Sequence, residues 1–196
     1  MFIAFEGGDG AGKTTQIQLL RDRLVAAGRE VVVTREPGGT ALGQEIRNVL
    51  LHGDHVAPRA EALLFAADRA HHVATVVRPA LERGAIVLQD RYMDSSIAYQ
   101  GAGRELDPAE VKRLSLWATE DLLPDLTVLL DVTPEVGRAR RGEVHDRLER
   151  EADDFHTRVR EHYLALAATD PGRYLVVDAA LPAEQIAALV AQEVQS

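Results

Sequence analysis

The sequence predicts a three-layer α/β domain, a five-stranded parallel sheet flanked by helices. Three observations carry this reading: short apolar runs rich in β-branched residues recur along the chain, longer helical patterns separate them, and the runs are continuously apolar rather than alternating. Continuous apolarity suits strands buried on both faces, and the intervening helices are the crossovers that parallel strands require. At 196 residues with 46% hydrophobic content, the chain can bury one substantial core and is short for two, so a single domain over 1–196 is expected.

The first run is Phe2 to Phe5, and a helical pattern from Gln16 to Ala27 follows it, stopped at Gly28-Arg29. The second run is Val31 to Val33. A helix starting near Pro58 ends at Gly84, just before the third run, Ile86 to Leu88. Asp107-Pro108-Ala109-Glu110 combines an N-cap, proline at the first helical position and a capping-box acid. The fourth run, Leu126 to Leu130, leads to Thr133-Pro134-Glu135, which repeats the cap and proline. Leu175 to Val177 is the fifth. No internal repeat or linker interrupts the series.

Composition narrows the function. With 22 basic against 31 acidic residues the net charge is −9, so the chain lacks the basic field that nucleic acid or an anionic membrane demands, and neither is expected as a partner. The absence of cysteine excludes disulfides, thiolate metal sites and cysteine nucleophiles. The N-terminus meets Glu6 and Gly7 too early for a signal-peptide core, and no apolar run approaches the ~18 residues of a membrane span. A cytoplasmic location is expected. The seven histidines match no metal-binding spacing and are read as surface or helix residues with no assigned role.

The decisive motif follows the first strand: Gly7-x4-Gly12-Lys13-Thr14, then Thr15, opening a helix. Here Gly7, Gly8, Asp9, Gly10, Ala11 and Gly12 let backbone N–H groups converge on an anion, helped by the positive end of the helix. Lys13 reaches the β and γ phosphates of a nucleotide, and Thr14 ligates Mg²⁺. Such loops serve kinases, switch GTPases and motors alike. The Asn-Lys-x-Asp guanine motif cannot exist here, since the only asparagine, Asn48, precedes Val49. No Asp-x-x-Gly occurs outside the loop itself, and the chain is short for a motor or helicase. A small-molecule phosphotransferase leads, with a regulatory NTPase as the alternative from another class.

A phosphotransferase must hold a second anion and neutralise the moving phosphoryl group, which calls for arginines. Arg35, Arg47, Arg69 and Arg91 are present, with a cluster of Arg138, Arg140, Arg141, Arg147 and Arg150. Arg91 stands out because it ends a buried strand, where α/β domains bind ligands.

Four blocks carry a resemblance: Phe5-Glu6-Gly7-Gly8-Asp9-Gly10-Ala11-Gly12-Lys13-Thr14-Thr15; Thr34-Arg35-Glu36-Pro37-Gly38-Gly39-Thr40; Asp90-Arg91-Tyr92 with Ser95-Ser96-Ile97-Ala98-Tyr99-Gln100-Gly101; and Asp131-Val132-Thr133-Pro134. With these the chain resembles the thymidylate kinases, P-loop NTPase-fold enzymes that phosphorylate dTMP with ATP and Mg²⁺; another nucleoside monophosphate kinase is the same-class alternative. The resemblance implies that residues 7–15 bind ATP, that Lys13, Arg91 and Asp9 are catalytic, and that Arg91 and Arg47 hold the dTMP phosphate. It further implies that Phe65 stacks on thymine, Arg69 bonds its carbonyl edge, Ser96 and Gln100 contact the base, and Tyr99 packs where a ribose 2′-hydroxyl would sit. Positions 65 and 69 are i and i+4, on one helix face, as a stack and an edge contact require. Asp9 and Glu36 match acidic positions near the acceptor sugar and the metal, with Asp9 expected to help Thr14 organise Mg²⁺. Arg138-Ala139-Arg140-Arg141-Gly142-Glu143 resembles the lid of the bacterial type, a segment of about 137–152. Arg141 is its expected catalytic finger, or Arg140 if the register slips. Family members are commonly homodimers, and Trp117, Leu114 and Leu116 lie on a helix whose apolar surface is either core or a dimer face.

Overall fold

The computed structural model describes residues 1–103, 106–140, 148 and 153–195. Five parallel strands stand in the order β2-β3-β1-β4-β5: β1 (Phe2–Glu6), β2 (Val31–Arg35), β3 (Ile86–Asp90), β4 (Leu126–Asp131) and β5 (Tyr174–Asp178). Each contains the run expected of it. The connections carry helices α1 (Lys13–Ala26), α2 (Ala41–His52), α3 (Pro58–His72), α4 (Arg78–Glu82), α5 (Met93–Ser96), α6 (Pro108–Thr119), α7 (Pro134–Arg140), α8 (Asp153–Thr169) and α9 (Ala183–Gln195). The helix expected from Pro58 is continuous through α4 by way of a wider, π-helical stretch, Val73–Val77, and Gly84 closes it at φ 85°. A second π-helical stretch, Ile97–Gly103, extends α5. Asp107 caps α6 by accepting from Ala109 N at 2.9 Å, with Pro108 as the first helical residue.

Alternation along β1 divides the core. Ile3 and Phe5 join Ile17 and Leu20 of α1 and Ile186 and Val190 of α9 on one face, while Phe2 and Ala4 join Val73, Val77 and Tyr92 on the other. The expectation that all five strands are buried holds for β1, β3 and β4 but not for β2 and β5. Those two form the sheet edges, each with one neighbour, and their outer residues Val33 and Val176 are exposed. Five apolar runs look alike in sequence; which of them lies at an edge depends on strand order.

Because the strands are parallel and in near register, with Phe5 beside both Asp90 and Val128 and Arg35 beside Asp90, their carboxyl ends converge. Glu6, Arg35, Asp90 and Asp131 end four of them, and the loops that follow build the site.

Candidate active site

The loop between β1 and α1 turns at glycines whose geometry no other residue supplies. Gly7 has φ 134°, and a Cβ there would run into Leu130 O. Gly10, at φ 79°, and Gly137 in α7 meet backbone to backbone: a Cβ on Gly10 would strike Gly137 O, and one on Gly137 would strike Asp9 O. Lys13 Nζ, buried, donates to Gly7 O and Gly8 O at 3.1 Å each. Burial, assisted by the nearby Arg91 charge, lowers its pKa to about 8. Asp9, Gly10, Ala11, Gly12, Lys13, Thr14 and Thr15 line a cavity of about 650 Å³, while Gly7 and Gly8 sit behind it and supply the lysine's carbonyl partners.

A second cavity of about 160 Å³ adjoins the first. Glu36, Arg47, Phe65, Arg69, Arg91, Ser96, Tyr99 and Gln100, the full set expected around the acceptor, line it together. They come from four separate chain segments. Asp9, Glu36, Arg47 and Arg91 line both cavities, so two acids and two arginines stand where the compartments meet.

Arg91 is the hub of that junction. Its backbone is left-handed, φ 65°, which costs a non-glycine residue free energy and turns its side chain back over the loop. Nη2 pairs with Asp9 Oδ1; Nη1 donates to Gly7 O and Ser95 Oγ at 3.1 Å and to Tyr163 OH at 3.4 Å. The guanidinium lies 5.2 Å from the Tyr99 ring centroid, and the Tyr99 hydroxyl donates to Asp9 Oδ2 at 3.1 Å. Arg47 donates to Pro37 O at 3.0 Å.

Arg69 is deeply buried. Nε donates to Glu36 Oε2 at 2.7 Å, Nη1 to Ser115 Oγ at 3.2 Å, and Nη2 to Tyr92 O and Ser96 Oγ at 3.1 and 3.0 Å. Four of the five N–H donors of its guanidinium thus face protein, so it organises the pocket wall as well as lining it. His72 takes the other Glu36 oxygen at 2.8 Å and Thr34 Oγ1 at 2.6 Å, and Gln100 Nε2 donates to Glu61 Oε1 at 3.1 Å. Reading the histidines as role-free missed His72, and Glu61 and Asp68 were missed with it. All three are fully buried on α3 together with Arg69. The available signal was their spacing, since 61, 65, 68, 69 and 72 form one helical stripe that includes Phe65.

Asp90, the last residue of β3, stands beside the phosphate loop. Its Oδ2 accepts from Thr14 Oγ1 at 3.4 Å, while Asp9 is turned toward Arg91 and Tyr99. A hydroxyl and a carboxylate side by side at the loop offer the hard oxygen donors that Mg²⁺ selects. Among the described residues no cluster of three or more His, Asp or Glu could hold a metal by itself.

Arg140 Nη1 donates to Ala179 O at 2.8 Å, in the wall of the larger cavity formed with Leu181, Ala183 and Ile186. Arg141 and most of the expected lid segment, 141–147 and 149–152, lie outside the described residues, as do Arg147 and Arg150. Trp117 is 80% exposed, which removes it from the core.

A phosphate loop opening one cavity, and a second cavity reached through paired acids and arginines, define a P-loop phosphotransferase of the nucleoside monophosphate kinase class. The thymidylate kinase family model matches residues 5–190. Proteins named thymidylate kinase are similar along nearly the whole chain. That of Clavibacter sepedonicus is 66% identical over 192 residues, 96% of this chain and 91% of its own length. That of Leifsonia xyli subsp. xyli is 66% identical over 193 residues, with the same two coverages. That of Bifidobacterium longum is 55% identical over 200 residues, 100% of this chain and 97% of its own. The chain belongs to the thymidylate kinase family.

Proposed function

We propose that the protein transfers the γ-phosphoryl group of ATP to dTMP, giving dTDP and ADP, with the larger cavity taking ATP and the smaller taking dTMP. The observation that carries this assignment is the junction of the two cavities at Asp9, Glu36, Arg47 and Arg91. A phosphoryl group crossing there moves between two arginines and within reach of the Lys13 loop.

In this reading Lys13 exchanges its Gly7 and Gly8 carbonyls for the β and γ phosphates, while the backbone of residues 7–15 and the α1 N-terminus hold the remaining charge. Arg91 and Arg47 grip the dTMP phosphate. Phe65 stacks on thymine, Arg69, Ser96 and Gln100 contact its polar edge, and Tyr99 occupies the space of a 2′-hydroxyl; their shared cavity supports these roles. Glu36 and Asp9 face the acceptor sugar. The acceptor is already an oxyanion, so alignment and charge neutralisation do the chemistry without a dedicated base. Thr14 would hold Mg²⁺ with Asp90 beside it and Asp9 lining the same cavity, and the ion would neutralise phosphate charge. Arg141 is assigned to the transferring phosphoryl, in a lid of about 137–152 on a single domain.

We further assign a homodimer, supported by the exposure of Trp117 (80%) on α6 and Leu63 (57%) on α3, neighbouring helices, and a cytoplasmic location, where ATP is available. Among the described residues no helix is long and apolar enough to cross a membrane. Light scattering tests the dimer. For the reaction, ADP release is measured with ATP against a panel of nucleoside monophosphates. Rapid release with dTMP alone is expected, release with every monophosphate would indicate a broader kinase, and release without an acceptor would indicate a hydrolase.

A further inference from the structure

Glu6 ends β1 immediately before the phosphate loop, is fully buried, and has no part in the reading above. Its carboxylate collects four donors. Oε1 accepts from Tyr92 N at 2.8 Å and Ser95 N at 3.2 Å; Oε2 accepts from Ser95 Oγ at 2.6 Å and Tyr163 OH at 3.0 Å. The same two hydroxyls stand against Arg91, whose Nη1 lies 3.1 Å from Ser95 Oγ and 3.4 Å from Tyr163 OH, and they lie 2.8 Å from each other.

With Glu6 ionised, as it is at pH 8, the direction of these bonds relative to Arg91 is set. An ionised carboxylate only accepts, and a guanidinium only donates. Placed between them, Ser95 and Tyr163 send their protons toward Glu6, directly or one through the other across their 2.8 Å contact, and present lone pairs to Arg91. A neutral group at position 6 would lift that constraint: a hydroxyl free to rotate can aim its proton at the guanidinium and break the contact. We propose that Glu6 is a positioning residue which, through Ser95 and Tyr163, sets the polarity of a hydroxyl relay and so holds Arg91 aimed at the acceptor phosphate. The inference rests on the assignment of Arg91 to that phosphate.

The electrostatics agree. Burial, with the Asp94 carboxylate adding to it, raises the Glu6 pKa to about 7, against the opposing pull of the Ser95 bond and the Arg91 charge. Lys13 on α1 also feels the Glu6 charge. A carboxylate kept here against such a penalty is poorly explained by packing alone, since glutamine has the same shape and still accepts from the two backbone amides.

The test compares Glu6→Gln, Tyr163→Phe and Arg91→Ala in the full chain, with dTMP and ATP varied separately at pH 8 and thermal unfolding recorded for each. Glu6→Gln is expected to lower kcat/KM for dTMP about tenfold or more, to leave the ATP KM within about twofold, and to unfold no earlier than wild type. Tyr163→Phe, which keeps the buried ring and removes one of the two relay hydroxyls, should act in the same direction, and its effect should shrink when Glu6 is already glutamine. It decides the matter alone should Glu6→Gln not fold. Wild-type dTMP kinetics in a folded Glu6→Gln or Tyr163→Phe, or equal losses for both substrates, would overturn the inference while leaving Arg91 in place. Unchanged dTMP kinetics in Arg91→Ala would overturn the site assignment and the inference with it.

Discussion

Arg69 Nε lies 2.7 Å from Glu36 Oε2, and each side chain is 2% exposed. Removing Arg69 leaves Glu36 a buried carboxylate with only His72 against it, and breaking a buried pair in this way costs about 3–5 kcal/mol in comparable cases. Arg69→Ala is therefore expected to lower the unfolding temperature as well as to raise the dTMP KM more than the ATP KM. Combining it with Glu36→Gln should recover part of the stability and none of the dTMP affinity. Thermal unfolding with two-substrate kinetics separates these effects, and unaltered stability in Arg69→Ala would show the pair to be dispensable.

Lys13 and Lys112 are the only lysines in the chain, and Lys112 lies on α6. No other lysine can take over at the phosphate loop. Lys13→Ala should keep a wild-type circular dichroism spectrum and lose turnover; substantial activity in the folded variant would contradict the role given to the loop.

Thr14 and Asp90 make a distinct prediction for metal. Asp90→Asn keeps the shape and removes the charge, so the Mg²⁺ concentration needed for half-maximal rate should rise, on the order of tenfold, and chelation should stop the wild-type enzyme. An unchanged Mg²⁺ requirement would move the metal role away from Asp90, with Asp9→Asn as the next variant to titrate.

Arg140 and Arg141, adjacent in the proposed lid, are expected to differ. Arg140, bonded to Ala179 O at the wall of the larger cavity, should raise the ATP KM when replaced by alanine. Arg141→Ala should instead reduce kcat, by about 10³-fold, because charge that develops during transfer contributes little to ground-state binding. Lysine at 141 should rescue only partly, since it cannot fork across two oxygens. If Arg140→Ala proves the kcat variant, the register is slipped by one.

Glu6 also predicts the pH dependence of stability. Its folded pKa, about 7, lies above its ordinary value of 4.5. The folded state thus holds this proton more tightly than the unfolded chain does. Its contribution is fully present below pH ~4.5 and is lost as pH rises through about 7, on the order of 3 kcal/mol in all. Asp68 and Asp94, also raised by burial, act in the same direction, while Lys13, lowered to about 8, acts mainly above that pH. The difference between wild type and Glu6→Gln isolates the glutamate: it should grow from pH 5 to 7.5 in favour of the variant, and a constant difference would show that Glu6 does not titrate there.

What the sequence revealed follows from where the information is local. The Gly7 to Thr15 loop, the strand runs and the caps at Asp107 and Thr133 depend on residues within a few positions of one another, and they fold as read. The residues that line the smaller cavity were legible as a set only through resemblance, because Phe65, Arg91 and Tyr99 come from distant segments. Glu61, Asp68 and His72 escaped notice because charge on a helix normally means solvent, whereas here the polar stripe of α3 faces inward. Tyr163 meets Glu6 across 157 residues, a contact with no trace in either local pattern. Arg69 shows both sides: its place on one helix face with Phe65 is local, yet its ion pair with Glu36 depends on α3 meeting the loop that follows β2.

The contact between Gly10 and Gly137 bears on how freely this site can vary. With no side chain between them, the spacing of the phosphate loop from α7 has no adjustable part: no rotamer can yield and no neighbour can be trimmed. Substitutions at the two positions therefore cannot compensate one another, for each site demands the same missing atom. In a mutational library, 10 and 137 should appear as a jointly invariant pair whose defects neither rescue one another nor respond to changes in the surrounding core, and whose loss displaces the loop and helix as one rigid gauge.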